Sequence, residues 1–403
     1  MTLPPAISTP PAVAGGRAQL SSRQGFWLLA SIIMSFLAAS TAPSPLYGLY
    51  REAWGFSALV LTFVFAVYAF ALLGGLLVFG GLSDHLGRRP VLLAALVLEL
   101  SSLALFWLAD SVAWLVTARL LQGLATGIAT ATLSAALLDL NRERGALINS
   151  VAPMLGMAAG ALGAAALVQF APHPAHHVFE VLAALLVLQT LAACLLPATN
   201  APRAGAWQSL RPRLAIPKPV RATMLLILPM NTAQWALGGF YTSLGPTLAR
   251  HVSGFTAPLV GGGLIATLVL SGAVGILAMR NYPARSVLAG SAAALVAGLA
   301  VTLWGVHAHA VTPLFLGSMV AGAGFGAGFN ASVRSLVQLA PADQRGAMMA
   351  SFFVLSYLAF SLPALAAGLA VGWFGLQATA LGYGAVLMLL CSWAGLKLVM
   401  RRD

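Results

Sequence analysis

Twelve long apolar stretches dominate the sequence, and each has about the length that a helix needs to cross a lipid bilayer. Roughly 20 helical residues span the ~30 Å hydrocarbon core, and a helix satisfies its own backbone hydrogen bonds, as lipid requires. The 403 residues are 60% hydrophobic and only 7% charged, whereas soluble domains carry about 25% charged residues. We therefore expect an all-α, multi-pass membrane protein, and we exclude a soluble enzyme.

The longest polar stretch between spans, Asn200–Val220, divides these stretches into six and six. A shift of 201 residues aligns Gly123 with Gly324 and Arg144 with Arg345, which indicates an internal repeat. Six spans per half give both halves the same orientation, as in a parallel repeat. The spans are predicted at Phe26–Pro45, Leu59–Val78, Val91–Leu108, Val112–Leu138, Ile148–Phe170, Val178–Leu196, Thr223–Leu248, Ala257–Met279, Val287–Val306, Val311–Leu336, Met348–Val371 and Leu376–Val399. The expected domains are a tail at 1–25, six-helix bundles at 26–197 and 222–399, a cytoplasmic loop at 198–221 and a second tail at 400–403.

The basic residues are concentrated on one side of the predicted membrane. The net charge is +12. With the N-terminus in the cytoplasm, seventeen Lys and Arg residues fall in cytoplasmic segments and only Arg51 and Arg250 fall outside, while Arg119 and Arg334 lie within spans. This bias predicts that both termini are cytoplasmic. The positive charge therefore reports topology, and no nucleic-acid partner is expected.

The residues between the second and third spans, GGLSDHLGRRP at 80–90, form a short charged hairpin. Asp84 ends one helix, Gly87 permits a tight turn, and Arg88 and Arg89 anchor the membrane interface. From these features alone, a positively charged hairpin without further function is an equally good interpretation.

The hairpin resembles the loop G-x-x-x-D-R/K-x-G-R-R/K of the major facilitator superfamily. His85 replaces the usual basic residue, and the positions that match are Gly80, Asp84, Gly87, Arg88 and Arg89. Together with twelve spans and a repeat, the resemblance covers the chain from about residue 26. It implies two pseudo-symmetric six-helix bundles, a small-molecule substrate, coupling to protons and a place in the bacterial plasma (inner) membrane.

The same resemblance implies a conformational latch. In the superfamily the Asp side chain docks on the start of span eleven, here from Gly346 onward, and an Arg bridges to an acid at the end of span four. The matching residues are Asp84, Arg88 and Asp139. We therefore expect an Asp84–Arg88–Asp139 network that latches the outward-facing state.

Two ionisable side chains lie deep in the spans, where charge is costly and is by default a functional hypothesis. Glu99 in span three and Arg119 in span four lie at similar depth, so that the two can form a salt bridge that offsets their desolvation. A static ion pair and a proton-coupling site both remain open. The stretch from Arg119 to Gly123 also resembles the R-x-x-Q-G pattern of proton-linked members, in which the Arg is implicated in proton transfer and the Gln lines the path.

Amide and aromatic side chains on the apolar walls of the spans are candidates for solute contact. In the superfamily the first helix of each bundle lines the central cavity. The candidates are Tyr47, Gln122, Asn231, Gln234, Trp235, Tyr241 and Asn330. Such groups suit a neutral or amphiphilic solute, although interhelical hydrogen bonds explain the same residues equally well.

The sequence contains no Walker or EF-hand motif, and its two cysteines lie in separate apolar runs, so we expect no metal site and no cofactor. We expect a monomeric secondary transporter, not an enzyme, that exports a small organic solute by proton antiport. A proton-coupled importer of a sugar or organic metabolite stays open, because Ala161 occupies the place of the proline in the antiporter pattern of span five. A non-transporting receptor or scaffold on the same fold is the alternative class.

Overall fold

The computed structural model describes residues 19–197 and 203–400, and within these ranges the chain is helical without strands. Parts of both predicted tails and of the central loop, 1–18, 198–202 and 401–403, lie outside the described residues. A 3₁₀ turn covers Ala342–Gln344. The helices are α1 (Ser22–Thr41), α2 (Pro43–Trp54), α3 (Ala58–Phe79), α4 (Leu82–Leu86), α5 (Arg88–Trp107), α6 (Val112–Leu140), α7 (Arg142–Phe170), α8 (Pro174–Ala193), α9 (Ala206–Ser209), α10 (Lys218–Ser243), α11 (Gly245–Ser253), α12 (Pro258–Met279), α13 (Ala284–His307), α14 (Val311–Leu339) and α15 (Arg345–Met400).

The described helices form twelve crossings, in agreement with the prediction. Ten segments of the described chain are long and apolar enough to span a membrane. The most polar long helix, α10, adds one crossing. The last of the ten segments counts as two crossings, 345–374 and 376–400, because Gly375 has a φ of 78° and interrupts α15. This left-handed conformation is open to glycine at little steric cost.

Several helices extend beyond the predicted spans. A capping box between Ser21 and Gln24 starts α1 at Ser22, within the stretch predicted as a tail. Asn141 accepts a hydrogen bond from the Arg144 N–H and starts α7 at Arg142, six residues before the predicted span. Because capping side chains satisfy the first free N–H groups, these helices extend into the interface, where hydropathy alone gives no signal.

The halves before and after α9 repeat the same packing. In the first half α1 packs on α7, α3 on α6, and α5 on both α6 and α8. In the second half α10 packs on α15, α12 on α14, and α13 on both α14 and α15. These pairs correspond under the shift along the sequence, so the repeat in sequence is a repeat in structure.

Helices α7 and α12 join the two halves on one side of the molecule, and α3 and α15 join them on the other. We call the side that carries the α3–α5 hairpin the motif face and the opposite side the distal face. Helices α1, α5, α7 and α10 begin at the motif face, and α3, α6, α12 and α14 end there.

Glycines allow the closest helix contacts within each half. A methyl group on Gly123 would overlap the carbonyl oxygen of Tyr68, and one on Gly127 would overlap that of Leu72, so α6 lies directly against the backbone of α3. Lipid provides no hydrophobic driving force between helices, so they associate through the close van der Waals packing that small residues of this kind allow. Gly74, also on α3, has open space beside it.

We expect Gly123→Ala to lower the free energy of unfolding by about 1–3 kcal/mol, the usual range for forcing an extra methyl into a packed core. Thermal unfolding of purified protein in detergent measures the change. Gly74→Ala is the matched control and should be neutral or slightly stabilising, because Ala favours helix more than Gly does. Equal unfolding temperatures for the two variants would contradict the close α3–α6 contact.

Candidate transport pathway

A cavity of about 920 Å³ lies between the two halves and reaches the motif face. Its inner wall includes Ser40, Thr41 and Tyr68 of the first half and Trp235 and Tyr241 of the second. Its mouth is formed by residues at or near the ends of helices on the motif face, which are Glu143, Arg144, Arg280, Asn281 and Arg334. A central cavity between two repeats is the arrangement of a solute site with alternating access.

Contacts between the halves close the distal side of the cavity. Arg250 on α11 lies against Gly48 and forms a salt bridge of 3.8 Å with Glu52, both on α2. Deeper in, Gly368 on α15 lies against the side chain of Thr62 on α3, and Gly262 on α12 lies against α7. The structure is therefore closed at the distal face and open at the motif face.

Aromatic rings form much of the inner wall. The ring centroid of Trp235 lies 5.6 Å from that of Phe329, 4.8 Å from that of Tyr357 and 5.9 Å from that of Phe360. Phe360 also contacts Phe65 of the first half, with the centroids 4.9 Å apart. Edge-to-face and offset rings at these distances attract one another, and they offer an apolar, polarisable surface to a bound molecule.

Three of the seven predicted solute contacts line this cavity: Trp235, Tyr241 and Asn330. The other four do not line it in this structure: Tyr47, Gln122, Asn231 and Gln234 are buried between helices of their own half.

Two of these four residues are amides on α10. Asn231 donates a hydrogen bond to the Ser356 hydroxyl at 2.9 Å. Gln234 donates to the carbonyls of Gly324 and Phe325 on α14. Buried polar groups need hydrogen-bond partners, and both amide nitrogens find theirs within the second half. Asn231 Oδ1 and Gln234 Oε1 have no hydrogen-bond partner among the described residues.

The phenylalanines that α15 contributes to the cavity wall were not predicted from the sequence. Phe353, Tyr357 and Phe360 on α15 all line the cavity. Their spacing of four and three residues places them on one face of a helix, and this periodicity is the signal that could have found them.

The deep ionisable residues form a buried chain centred on Gln122. Its amide nitrogen donates to Glu99 Oε1 at 3.1 Å, and its amide oxygen accepts from Arg119 Nη1 at 2.7 Å. The expected direct salt bridge is not formed, because the Gln122 amide lies between the two charges, and all three residues are fully buried. Glu99 Oε2 and Arg119 Nη2 have no hydrogen-bond partner within the described residues.

Arg119 has further contacts that bring it next to the cavity wall. Its Nε donates to the Tyr47 hydroxyl at 2.7 Å, and its Nη1 donates to the Ser40 carbonyl at 2.8 Å. The guanidinium carbon lies 5.3 to 5.6 Å from the ring centroids of Tyr47, Tyr68 and Phe106. Cation–π contacts of this length stabilise a desolvated cation, and both Ser40 and Tyr68 line the cavity.

The same chain of polar groups closes a gap in the first helix. Pro43 has no N–H, so the Ala39 carbonyl four residues earlier lacks its helical donor. The Gln122 amide nitrogen donates to that carbonyl at 3.1 Å. The break between α1 and α2 is thus hydrogen-bonded to α6 and, through Gln122, to the carboxylate on α5.

The motif hairpin has part of the predicted latch in place. Arg88 is ion-paired with Asp84 and with Asp139 at 3.0 Å, and it donates to the Ser83 hydroxyl. Gly87 has a φ of 97° and turns the chain from α4 into α5. The hairpin network predicted from the resemblance is therefore formed.

The other hairpin residues contact the chain around them. Arg89 donates to the carbonyl of Leu196 at the end of the first half. Gly80 has ordinary helical dihedrals and ends α3. His85 replaces the usual basic residue, and its Nδ1 lies 2.9 Å from the Ala204 carbonyl, so the described part of the central loop packs on the hairpin.

Contact between Asp84 and span eleven is not formed in this structure. The Asp84 side chain is 57% exposed and is ion-paired with Arg88. Gly346, near the start of α15, has open space beside it. The separation fits the open motif face, because a closed latch would hold α3 and α15 together there.

The fold and the cavity define a polytopic membrane transporter with two repeated halves. The family model of the Major Facilitator Superfamily matches residues 28–309, and the chain belongs to that superfamily. The membership, together with structural neighbours that are transporters, identifies a secondary transporter and not an enzyme.

Two solved structures with the same fold illustrate the likeness. The nucleoside transporter NupG, in a D323A mutant, has a TM-score of 0.73 and 13% identity, covering 94% of this chain and 100% of its own. The human organic anion transporter MFSD10 (TETRAN) has a TM-score of 0.65 and 22% identity, covering 93% and 100%. No curated protein matches the sequence significantly.

We expect Glu99 and Arg119 to be coupled energetically although they do not touch. The single variants Glu99→Leu and Arg119→Leu should each lower the free energy of unfolding, because each removes one hydrogen-bond partner of the Gln122 amide. The free energy of unfolding that the double variant loses should be smaller than the sum of the two single losses by about 0.5–3 kcal/mol, as for residues in one hydrogen-bonded network. Unfolding of the four proteins in detergent measures the cycle, and strict additivity would contradict the Gln122 bridge.

Proposed function

We propose that the protein is a proton-coupled secondary transporter that exports a small, largely apolar organic solute by antiport. The observation that carries the proposal is the buried Glu99–Gln122–Arg119 chain beside the cavity wall. A carboxyl group at membrane depth, with one oxygen lacking a partner, is a proton-binding candidate on physical grounds. A nucleoside transporter and an organic anion transporter share this fold, so the solute must be inferred from the cavity itself.

We assign the motif face to the cytoplasm of a bacterial cell, with the protein in the inner membrane, both termini cytoplasmic and a monomer as the working unit. The support is the charge bias, because, among the described basic residues outside the spans, fourteen lie on the motif side and two on the distal side. With that assignment, the structure described above is open to the cytoplasm and accepts solute from inside the cell.

Proton binding acts on the solute path through the break between α1 and α2. In the ionised state Glu99 accepts from Gln122, which also holds the Ala39 carbonyl. Protonation removes the negative charge and turns one carboxyl oxygen into a donor, so that the hydrogen bonds of Gln122 and Arg119 rearrange. Because Ser40 and Thr41 on this segment line the cavity, the protonation state of Glu99 changes the wall that the solute touches.

The outward-facing state forms by exchange of the contacts between halves. The distal contacts of Arg250 and Gly368 open, and the motif face closes as Asp84 docks on the start of α15. A helix N-terminus attracts a carboxylate, which gives the closed latch its physical basis. Asn330 and Ser150, whose side chains are hydrogen-bonded at 3.2 Å across the halves, form the inner edge of that closing surface.

We expect proteoliposomes that contain the purified protein and an entrapped pH dye to show a solute-dependent proton flux. Glu99→Gln should abolish the flux, because an amide does not carry a proton. The matched control Glu180→Gln changes an exposed acid outside the cavity lining and should retain the flux.

The sign of the flux separates the candidate functions. Protons that move opposite to the solute indicate antiport, and protons that move with it indicate the importer that the sequence left open. Solute binding without flux in any variant would point to a receptor or scaffold. Full coupling in Glu99→Gln would exclude Glu99 as the proton site.

The latch has its own test. Asp84→Asn and Arg88→Ala should each slow transport about tenfold, within the usual range of conformational coupling energies, because the closed motif face loses a charged contact. Initial rates of solute uptake into proteoliposomes measure this. Asp110→Asn, an exposed acid at the distal face, is the control, and unchanged rates in both latch variants would contradict the proposal.

A further inference from the structure

The charged groups of the cavity are unevenly distributed. Among its lining residues, the charged ones are Glu143, Arg144, Arg280 and Arg334, all at the motif end, and the inner wall is neutral and largely aromatic. Three guanidinium groups and one carboxylate leave the mouth with a net positive charge. In a cleft with low-dielectric walls, such a charge distribution raises the local concentration of anions.

Arg334 is the residue of this group that is built into the wall. It lies within α14, five residues before the helix ends at Leu339. Its Nη1 donates to the Arg280 carbonyl at 2.7 Å and to the Tyr282 carbonyl at 3.3 Å, so the hairpin after α12 holds the guanidinium in place.

The charge of Arg334 has no acidic partner. No carboxylate of the described chain lies within 4 Å of it, and its Nε is buried without a hydrogen-bond partner. A buried donor without a partner is costly. Its Nη2 makes no hydrogen bond within the described residues and is not buried, so this is the donor that a carboxylate or a similar oxyanion can reach.

The axial separation of Arg334 and Phe329 along α14 is close to the length of a small amphiphile. Phe329, which contacts Trp235, lies five residues earlier on the same helix. Five residues rise by about 7.5 Å along a helix, roughly the length of an aromatic acid. Asn330, one turn inward from Arg334, adds a polar side chain between the two.

We propose that the solute is an organic anion, with its carboxylate or sulfonate bound by Arg334 and its aromatic or apolar body lying against Trp235 and Phe329. This inference rests on the proposed function, because it assigns the chemical class of the solute that the same cavity carries. Anchoring of basic residues at the cytoplasmic interface explains the exposed arginines of the mouth, but it does not require a guanidinium that faces the cavity without an acidic partner.

The test uses three probes that share one ring system: 2-naphthoate, 2-naphthalenemethanol and 2-naphthylmethylammonium. Isothermal titration calorimetry on the full-length protein in nanodiscs measures the affinity for each. We expect 2-naphthoate to bind about tenfold or more tightly than the alcohol, in line with a charge-assisted hydrogen bond, and the ammonium probe to bind most weakly. Equal affinities for the three probes, or a preference for the ammonium probe, would overturn the proposal from the wild-type protein alone.

Variants of the protein test which arginine binds the carboxylate of 2-naphthoate. Arg334→Gln should lower the affinity for 2-naphthoate about tenfold and leave that for the alcohol unchanged, while Arg334→Lys should keep most of the preference. Arg280→Gln removes another mouth charge and should have a smaller effect. Arg221→Gln, at an exposed motif-face arginine outside the cavity, is the control. Wild-type affinity for 2-naphthoate in a monodisperse Arg334→Gln protein would overturn the assignment.

Probe binding and proton flux together distinguish a failure of this inference from a failure of the proposed function. Charge-selective binding without any probe-dependent proton flux would support the anion site and reject proton-coupled transport of these solutes. Proton flux driven equally well by the alcohol and the ammonium probe would support coupled transport and reject the anion site.

Discussion

The cost of burying the Arg119 guanidinium in a medium without water determines the arrangement of the first half. Neither Arg119 nor Glu99 is tolerated at this depth without partners, and the partners come from α1, α2, α5 and α6 together. The ring of Tyr47, the carbonyl of Ser40 and the amide of Gln122 surround the guanidinium. The same amide satisfies a carbonyl that a proline leaves free. The desolvation cost of these two residues thus fixes the relative positions of four helices, including the break between α1 and α2 beside the cavity.

The glycine contacts divide the molecule into parts that stay together and parts that separate. Gly123 and Gly127 fix α6 against α3 inside one half, where backbone meets backbone. Gly262 and Gly368 make equally close contacts, but between the halves and towards the distal face. Packed interfaces switch between discrete arrangements and do not deform continuously. The two classes of contact therefore allow the halves to rock as two rigid bodies. The contacts within each half persist, and the contacts between the halves are exchanged.

Much of the fold could be predicted from the sequence, because the bilayer imposes a length and a polarity on every crossing helix. Ser21 and Asn141 cap helices that extend beyond the apolar stretches. A hydropathy pattern does not register these capping side chains. The depth of Glu99 and Arg119 followed from residue counting, but the insertion of Gln122 between them depends on side-chain rotamers. The solute contacts were the weakest part, because an amide in a span serves equally well as a helix-packing group or a cavity group, and only the fold decides between them.

The two halves share a scaffold but differ in content. The repeat-related positions of Glu99, Arg119 and Gln122 are occupied by Ala300, Val320 and Ala323. The second half instead provides most of the aromatic wall and the cavity arginine of α14. Under the proposals above, the proton-coupling residues and most of the residues that contact the solute lie in different halves of the repeat, so that each half can change in sequence without altering the role of the other. Related proteins can therefore differ in their solute through substitutions in the second half, while the proton-coupling residues of the first half stay the same.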